Sequence, residues 1–172
     1  MIHRDIKTQN IFIASEGRLV LGDFGIVFFR DGHDRATTTF EKVGTSYWMA
    51  PWAYKNKRLA IDQIDSTLDI FPLAKVLWPM IAGLDGFSYW RYARDENNLE
   101  QMFPDDPLMP LINRNILARC IVEEEPDCTL RAHGLLDEID KLIVQARRPG
   151  QKPENNEPWM CRMCGRGRVS AI

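Results

Sequence analysis

The chain has 172 residues, 45% of them hydrophobic, 10% aromatic and 27% charged. That is the length and composition of one ordinary globular domain, which excludes disordered, collagenous and repeat architectures. Its net charge of -2 is too near neutral for a nucleic-acid or membrane surface over the whole chain. The charge is uneven, however, because residues 141–172 hold seven Lys/Arg against two Glu, leaving 15 against 22 for residues 1–140.

Ile11-Phe12-Ile13 and Leu19-Val20-Leu21 are short β-branched and aromatic runs on either side of Ser15-Glu16-Gly17-Arg18, the pattern of an antiparallel hairpin. Such a hairpin brings Asn10 and Asp23 together at one end of the ribbon. Gly25 to Pro51 shows no sustained period, carries the turn signal Asp31-Gly32 and the cluster Thr37-Thr38-Thr39, and reads as one long functional loop. Asp65 to Asp69 offers several N-cap side chains, and Gly83 suits a helix C-terminus. The segment between them is apolar nearly all round, which predicts a buried central helix, kinked at Pro79. At about 15 residues, with Lys75 and two prolines inside, it is too short and interrupted to span a membrane. Further helices are predicted over Leu99–Phe103, Leu111–Val122 and Leu130–Ala146.

No secretory leader is expected for Cys120, Cys128, Cys161 and Cys164, since Met1-Ile2 runs straight into the polar His3-Arg4-Asp5. A reducing, cytoplasmic setting is expected. Cys120 and Cys128 are expected to be ordinary core thiols.

Taken in order, His3-Arg4-Asp5-Ile6-Lys7-Thr8-Gln9-Asn10, Asp23-Phe24-Gly25, Gly44-Thr45 and Ala50-Pro51 resemble the signature set of a eukaryotic-type protein kinase. Asp69, ahead of the buried helix, and Asp127 with Arg131 extend the resemblance over residues 1–146. It implies a mainly α (α+β) fold: a protein-kinase-like C-terminal lobe with a short β-hairpin at the catalytic loop and a buried central helix.

The residue types fit phosphoryl transfer, which needs two oxygens held in line and the spreading negative charge neutralised. By resemblance Asp5 is the catalytic base and Lys7 directs a cation at the transferring phosphate of ATP. Asn10 and Asp23 offer hard oxygen ligands to Mg2+. Lys7 together with Thr45 resembles serine/threonine kinases, so the expected reaction moves the ATP γ-phosphate to Ser/Thr hydroxyls of a protein substrate. Gly44-Thr45 and Ala50-Pro51 resemble the platform that receives that substrate, which disfavours a small-molecule kinase. Arg4 is the expected partner of an activating phosphate. Glu41 stands where many relatives carry the phosphorylated threonine, so either Glu41 imitates that charge or one of Thr37, Thr38 and Thr39 is the modified site. Asp69 and Arg131 have structural roles in the family, Asp69 supporting the catalytic-loop backbone.

Three departures matter. The chain begins at the catalytic loop, so an upstream N-lobe is expected in the full-length protein, and the chain alone is expected to bind ATP poorly and to turn over negligibly. The helix that precedes this loop in relatives is also absent, which predicts uncovered apolar surface on the central helix. Trp52 replaces the glutamate that usually follows Ala50-Pro51 and pairs with Arg131, and Glu123, Glu124 and Glu125 are candidate replacements. The alternative function is therefore a non-catalytic kinase-fold scaffold or regulatory protein, against which the joint presence of Asp5, Lys7, Asn10 and Asp23 argues.

Residues 147–158 read as a polar linker, and residues 159–172 as a tail in which Cys161-Arg162-Met163-Cys164-Gly165 resembles half of a Zn2+ ribbon. Neither a membrane nor nucleic acid is an expected partner.

Overall fold

A computed structural model of the chain describes residues 1–25, 27, 47–55, 65–83 and 97–147. Strands β1 (Ile11–Ile13) and β2 (Leu19–Leu21) pair antiparallel with Ile11 opposite Leu21, Phe12 opposite Val20 and Ile13 opposite Leu19. A 3-10 turn over Ser15–Gly17 closes the hairpin, the Ala14 amide donating to Arg18 O at 2.8 Å. Of the paired side chains, Ile11 and Leu21 pack inward on Ile6, Trp48 and Val76, whereas Phe12, Ile13, Leu19 and Val20 are exposed.

Helix α1 (Pro51–Lys55) starts with proline, whose missing N–H is no loss in a first helical turn. Helix α2 (Thr67–Ala82) is the centre of the molecule and runs through Pro72 and Pro79 as one element. Each proline withholds one amide from the helical ladder. Gly83 ends the helix in the left-handed conformation at φ 67°, its amide donating to Pro79 O at 2.9 Å. Ile70, Phe71, Ala74, Trp78 and Ala82 of α2 form a core with Trp52 and Ala53 of α1. Leu73 and Met80, seven residues apart on one helix face, are the exposed large side chains on α2, at 39% and 49%.

The remaining helices wrap this core. Helix α3 (Leu99–Met102) is capped by Asn98, whose side chain accepts the Glu100 amide. Helix α4 (Met109–Ile112), a π-helical turn (Asn113–Leu117) and α5 (Ala118–Cys120) form a continuous helical run. It contributes Ile116, Leu117 and Cys120, all fully buried. Helix α6 (Ala132–Ala146) buries Leu135 against the core with Ile139 and Leu142 beside it, and holds Glu138 at 2.8 Å from Lys141 and 3.9 Å from Arg119.

The predicted hairpin matches the strands residue for residue; the helix predicted from Leu99 starts there and ends one residue earlier, at Met102, and the two later helices are present with shifted starts. The middle helix begins at Met109 because Pro110 is accommodated in a first turn. The last begins at Ala132 because Leu130 is drawn into the core while Arg131 stays extended at φ -117° and ψ 172°. Cys120 and Cys128 are both buried thiols. Among the described residues, no helix is long and apolar enough to cross a membrane.

Candidate active site

The loop from His3 to Asn10 is held from two sides. From below, the Asp69 carboxylate in the first turn of α2 accepts the His3 amide on Oδ2 at 2.6 Å and the Arg4 amide on Oδ1 at 2.8 Å. Burial lifts the Asp69 carboxyl above the ordinary carboxylate range, and these two amides draw it back in part. Burial likewise lowers the Arg4 guanidinium from its usual value, with the Asp69 charge opposing the shift.

From the other side, the buried His3 ring bridges the loop and the segment after β2. Its Nδ1 accepts the Asp5 amide at 3.3 Å, so Nε2 carries the proton and donates to Gly22 O at 3.0 Å. The ring also meets Phe24 edge-on at 4.9 Å. Nothing in the sequence assigns His3 a role beyond a histidine next to two charged residues, because its ring contacts are made across the fold.

Asp5 lies at the centre of the polar group. Lys7 Nζ donates to its Oδ2 at 2.6 Å, and Asn10 Nδ2 donates to the same oxygen at 3.0 Å and to Asp5 O at 2.9 Å. The other carboxylate oxygen, Oδ1, has no hydrogen-bond partner. One oxygen is thus fixed by a cation and an amide while the second retains its full acceptor capacity.

The hairpin register carries Asp23 toward this cluster. Gly22 donates its amide to Asn10 O at 2.8 Å, which places Asp23 one residue beyond the pair. A Cβ at Gly22 would stand 2.6 Å from Phe12 Cε2, so the exposed Phe12 ring would have to turn aside to admit one. Asp23 itself is exposed and left-handed at φ 61°, and the half-buried Arg4 is left-handed at φ 70°. Because Asn10 spends its NH2 group on Asp5, its carbonyl oxygen and the Asp23 carboxylate are the hard donors at this end of the hairpin, a set that suits Mg2+.

Arg131 has a partner other than those foreseen. Its Nη1 donates to Cys128 O at 2.7 Å and Leu130 O at 3.3 Å, and its Nε lies 3.7 Å from Asp65 Oδ2. Glu125 instead accepts the Thr67 hydroxyl at 3.0 Å. Trp52 is buried edge-to-face on Phe71 at 5.6 Å, with its indole N–H unpaired. Thr37, Thr38, Thr39, Glu41, Thr45, Cys161 and Cys164 lie outside the described residues, so the activation-loop and Zn2+ expectations concern parts of the chain not described. Among the described residues no group of three or more His, Cys, Asp or Glu is arranged to hold a metal.

Comparison with known proteins finds relatives of the chain. Sporulation-specific protein 1 of Saccharomyces cerevisiae is 33% identical over 129 residues, covering 73% of this chain and 25% of that protein. The serine/threonine-protein kinase Sgk1 of Homo sapiens is 32% identical over 123 residues, covering 72% and 26% respectively. The serine/threonine-protein kinase sgk-1 of Caenorhabditis elegans is 32% identical over 120 residues, covering 70% and 23%. The chain thus spans about a quarter of the length of these curated relatives. The family model for the protein kinase domain matches residues 1–155, and the chain belongs to the protein kinase family.

Proposed function

We propose that the protein transfers the γ-phosphate of ATP to serine or threonine hydroxyls of a protein substrate, with residues 1–146 forming the acceptor-side lobe of the catalytic domain. The observation that carries this reading is the asymmetry of Asp5: Oδ2 is bound by Lys7 and Asn10, and the buried Oδ1 has no hydrogen-bond partner among the described residues. As the acceptor oxygen bonds the γ-phosphorus, its proton passes to Oδ1 of Asp5. The bond from that phosphorus to the β–γ bridging oxygen breaks, leaving ADP and a phosphorylated side chain. Lys7 keeps Asp5 oriented and offers positive charge to the transferred group. Mg2+, when bound, neutralises phosphate charge, and Asn10 and Asp23 are the residues that would hold it.

Arg4, whose amide donates to Asp69, is the cation for a loop phosphate or for Glu41. A scaffold function is the second reading, favoured by one observation: the buried Trp52 occupies the position of the family's ion-pairing glutamate.

Phosphate transfer from labelled ATP to a serine/threonine peptide library by the full-length protein tests both. Asp5→Asn is expected to lower transfer at least about a hundredfold. Transfer by the parent that Asp5→Asn leaves intact refutes the assignment of the base, and absence of transfer by the full-length parent favours the scaffold. The 172-residue chain alone is expected to give no measurable transfer.

A further inference from the structure

Lys75 is the one charged side chain sealed in the core of α2, at 0% exposure, among Ala74, Val76 and Trp78. A buried ammonium is destabilising unless its surroundings replace water. Two consecutive residues contribute to that replacement. Lys75 Nζ donates to Tyr47 O, lies 3.8 Å over the Tyr47 ring and is 5.5 Å from the Trp48 ring. The two rings meet edge-to-face at 5.3 Å. A carbonyl acceptor and ring faces both attract a cation, and all are lost together if residues 47–48 leave α2.

The second half of the observation is what Trp48 touches. It packs with Ile6 and Val76, and with Ile11 and Leu21 beside them. Ile6 lies between Asp5 and Lys7; Ile11 follows Asn10; Leu21 precedes Gly22. The segment ahead of Ala50-Pro51 is therefore joined to the catalytic loop and to both strands of the hairpin through one indole, and that indole is next to Lys75.

We propose that Lys75 is a positioning residue for protein-substrate phosphorylation: it clamps Tyr47 and Trp48 onto the central helix and so sets the acceptor platform at a fixed distance from Asp5. The proposal rests on the kinase reading above. An apolar residue at 75 would fill the volume but leave Tyr47 O without this donor and the rings without a cation, so the platform would be packed without being held in register.

The test uses the full-length protein with Lys75→Met, which keeps the length of the side chain, and Lys75→Arg, which keeps the cation. Steady-state transfer is expected to show the KM for a peptide acceptor raised about tenfold by Lys75→Met, the KM for ATP within about twofold, and most of the loss recovered by Lys75→Arg. An unchanged peptide KM, or peptide and ATP KM moving together, overturns the positioning role. If Lys75→Met does not fold, Tyr47→Leu, which removes one ring and keeps the carbonyl, must give the same split.

A readout without catalysis separates the clamp from the kinase reading. Amide hydrogen exchange over residues 47–53 is expected to quicken about tenfold in Lys75→Met while residues 109–120 are unaffected. Unchanged exchange refutes the clamp. Quickened exchange in a protein whose parent phosphorylates no peptide refutes the kinase reading and the substrate role with it, and leaves a clamp of structural function only.

Discussion

The Nε2 of His3 donates to the carbonyl oxygen of Gly22 at 3.0 Å, so a single ring fastens the loop from His3 to Asn10 to the turn that carries Asp23. His3→Phe preserves a ring against Phe24 and deletes the hydrogen bonds to Gly22 and Asp5. Two polar backbone groups lose their partners, and the expected loss is about 2 kcal/mol in urea unfolding. A loss under about 0.5 kcal/mol would show that water replaces the ring at no penalty.

Trp52 gives an opposite pair of expectations. Trp52→Phe removes the unpaired indole N–H and keeps an aromatic ring on Phe71, so stability should change by less than about 1 kcal/mol. Trp52→Glu restores the residue type of the family but places a carboxylate in the core, while Arg131 is engaged by Cys128 O, Leu130 O and Asp65. A destabilisation above about 2 kcal/mol is expected from calorimetry. A Trp52→Glu protein as stable as the parent would mean that Arg131 swings inward to meet the new charge.

Burial lowers the Lys75 ammonium from 10.5 to about 8 in the folded chain. The unfolded chain therefore binds more protons at this group between pH 8 and 10.5, and this contribution to stability rises with pH across that window. Cys120 acts in the other direction, since burial and then the neighbouring Cys128 push its thiol from 9.0 up to about 12. Its native proton is retained while the unfolded chain loses one, so its contribution falls as pH rises above 9. Below that point the Lys75 effect outweighs the opposing effect of the thiols. Urea unfolding should be about 1 kcal/mol more difficult at about pH 8.8 than at about pH 7.5, and Lys75→Met should abolish the difference. An equal slope in the variant would assign the effect to other groups.

The same burial makes both core thiols poor nucleophiles. Burial raises Cys128 as it does Cys120. In a Cys161→Ser/Cys164→Ser background, an aromatic disulfide reagent should label neither thiol of the native chain on a timescale of minutes at about pH 8, and should label both in urea. Prompt labelling of the native chain would place one of them at the surface.

Local chemistry made much of this fold legible. The hairpin was readable because β-branched runs flank a glycine-containing turn, and α2 because a fully apolar stretch is bounded by cap residues and Gly83. Asp5, Lys7 and Asn10 were singled out through the resemblance, and their closeness along the chain lets one carboxylate oxygen meet both partners. Contacts between distant segments were not legible. Lys75 read as an interruption, since nothing near it in sequence shows that Tyr47 and Trp48 will lie against it. Arg131 finds Asp65 and not the nearer Glu125, because Glu125 is already bound to Thr67.

Arg4 and Asp23 are the two described residues other than glycine with positive φ, at 70° and 61°, and they stand on either side of Asp5 and Asn10. A side chain in that region carries strain of about 1 kcal/mol or more, which persists only because the surrounding bonds outweigh it. Glycine would relax the backbone at either position, yet it would remove the guanidinium at one and the carboxylate at the other. Selection for thermal tolerance and selection for activity therefore pull in contrary directions at these two positions, and variants chosen for stability alone should accumulate there as losses of function.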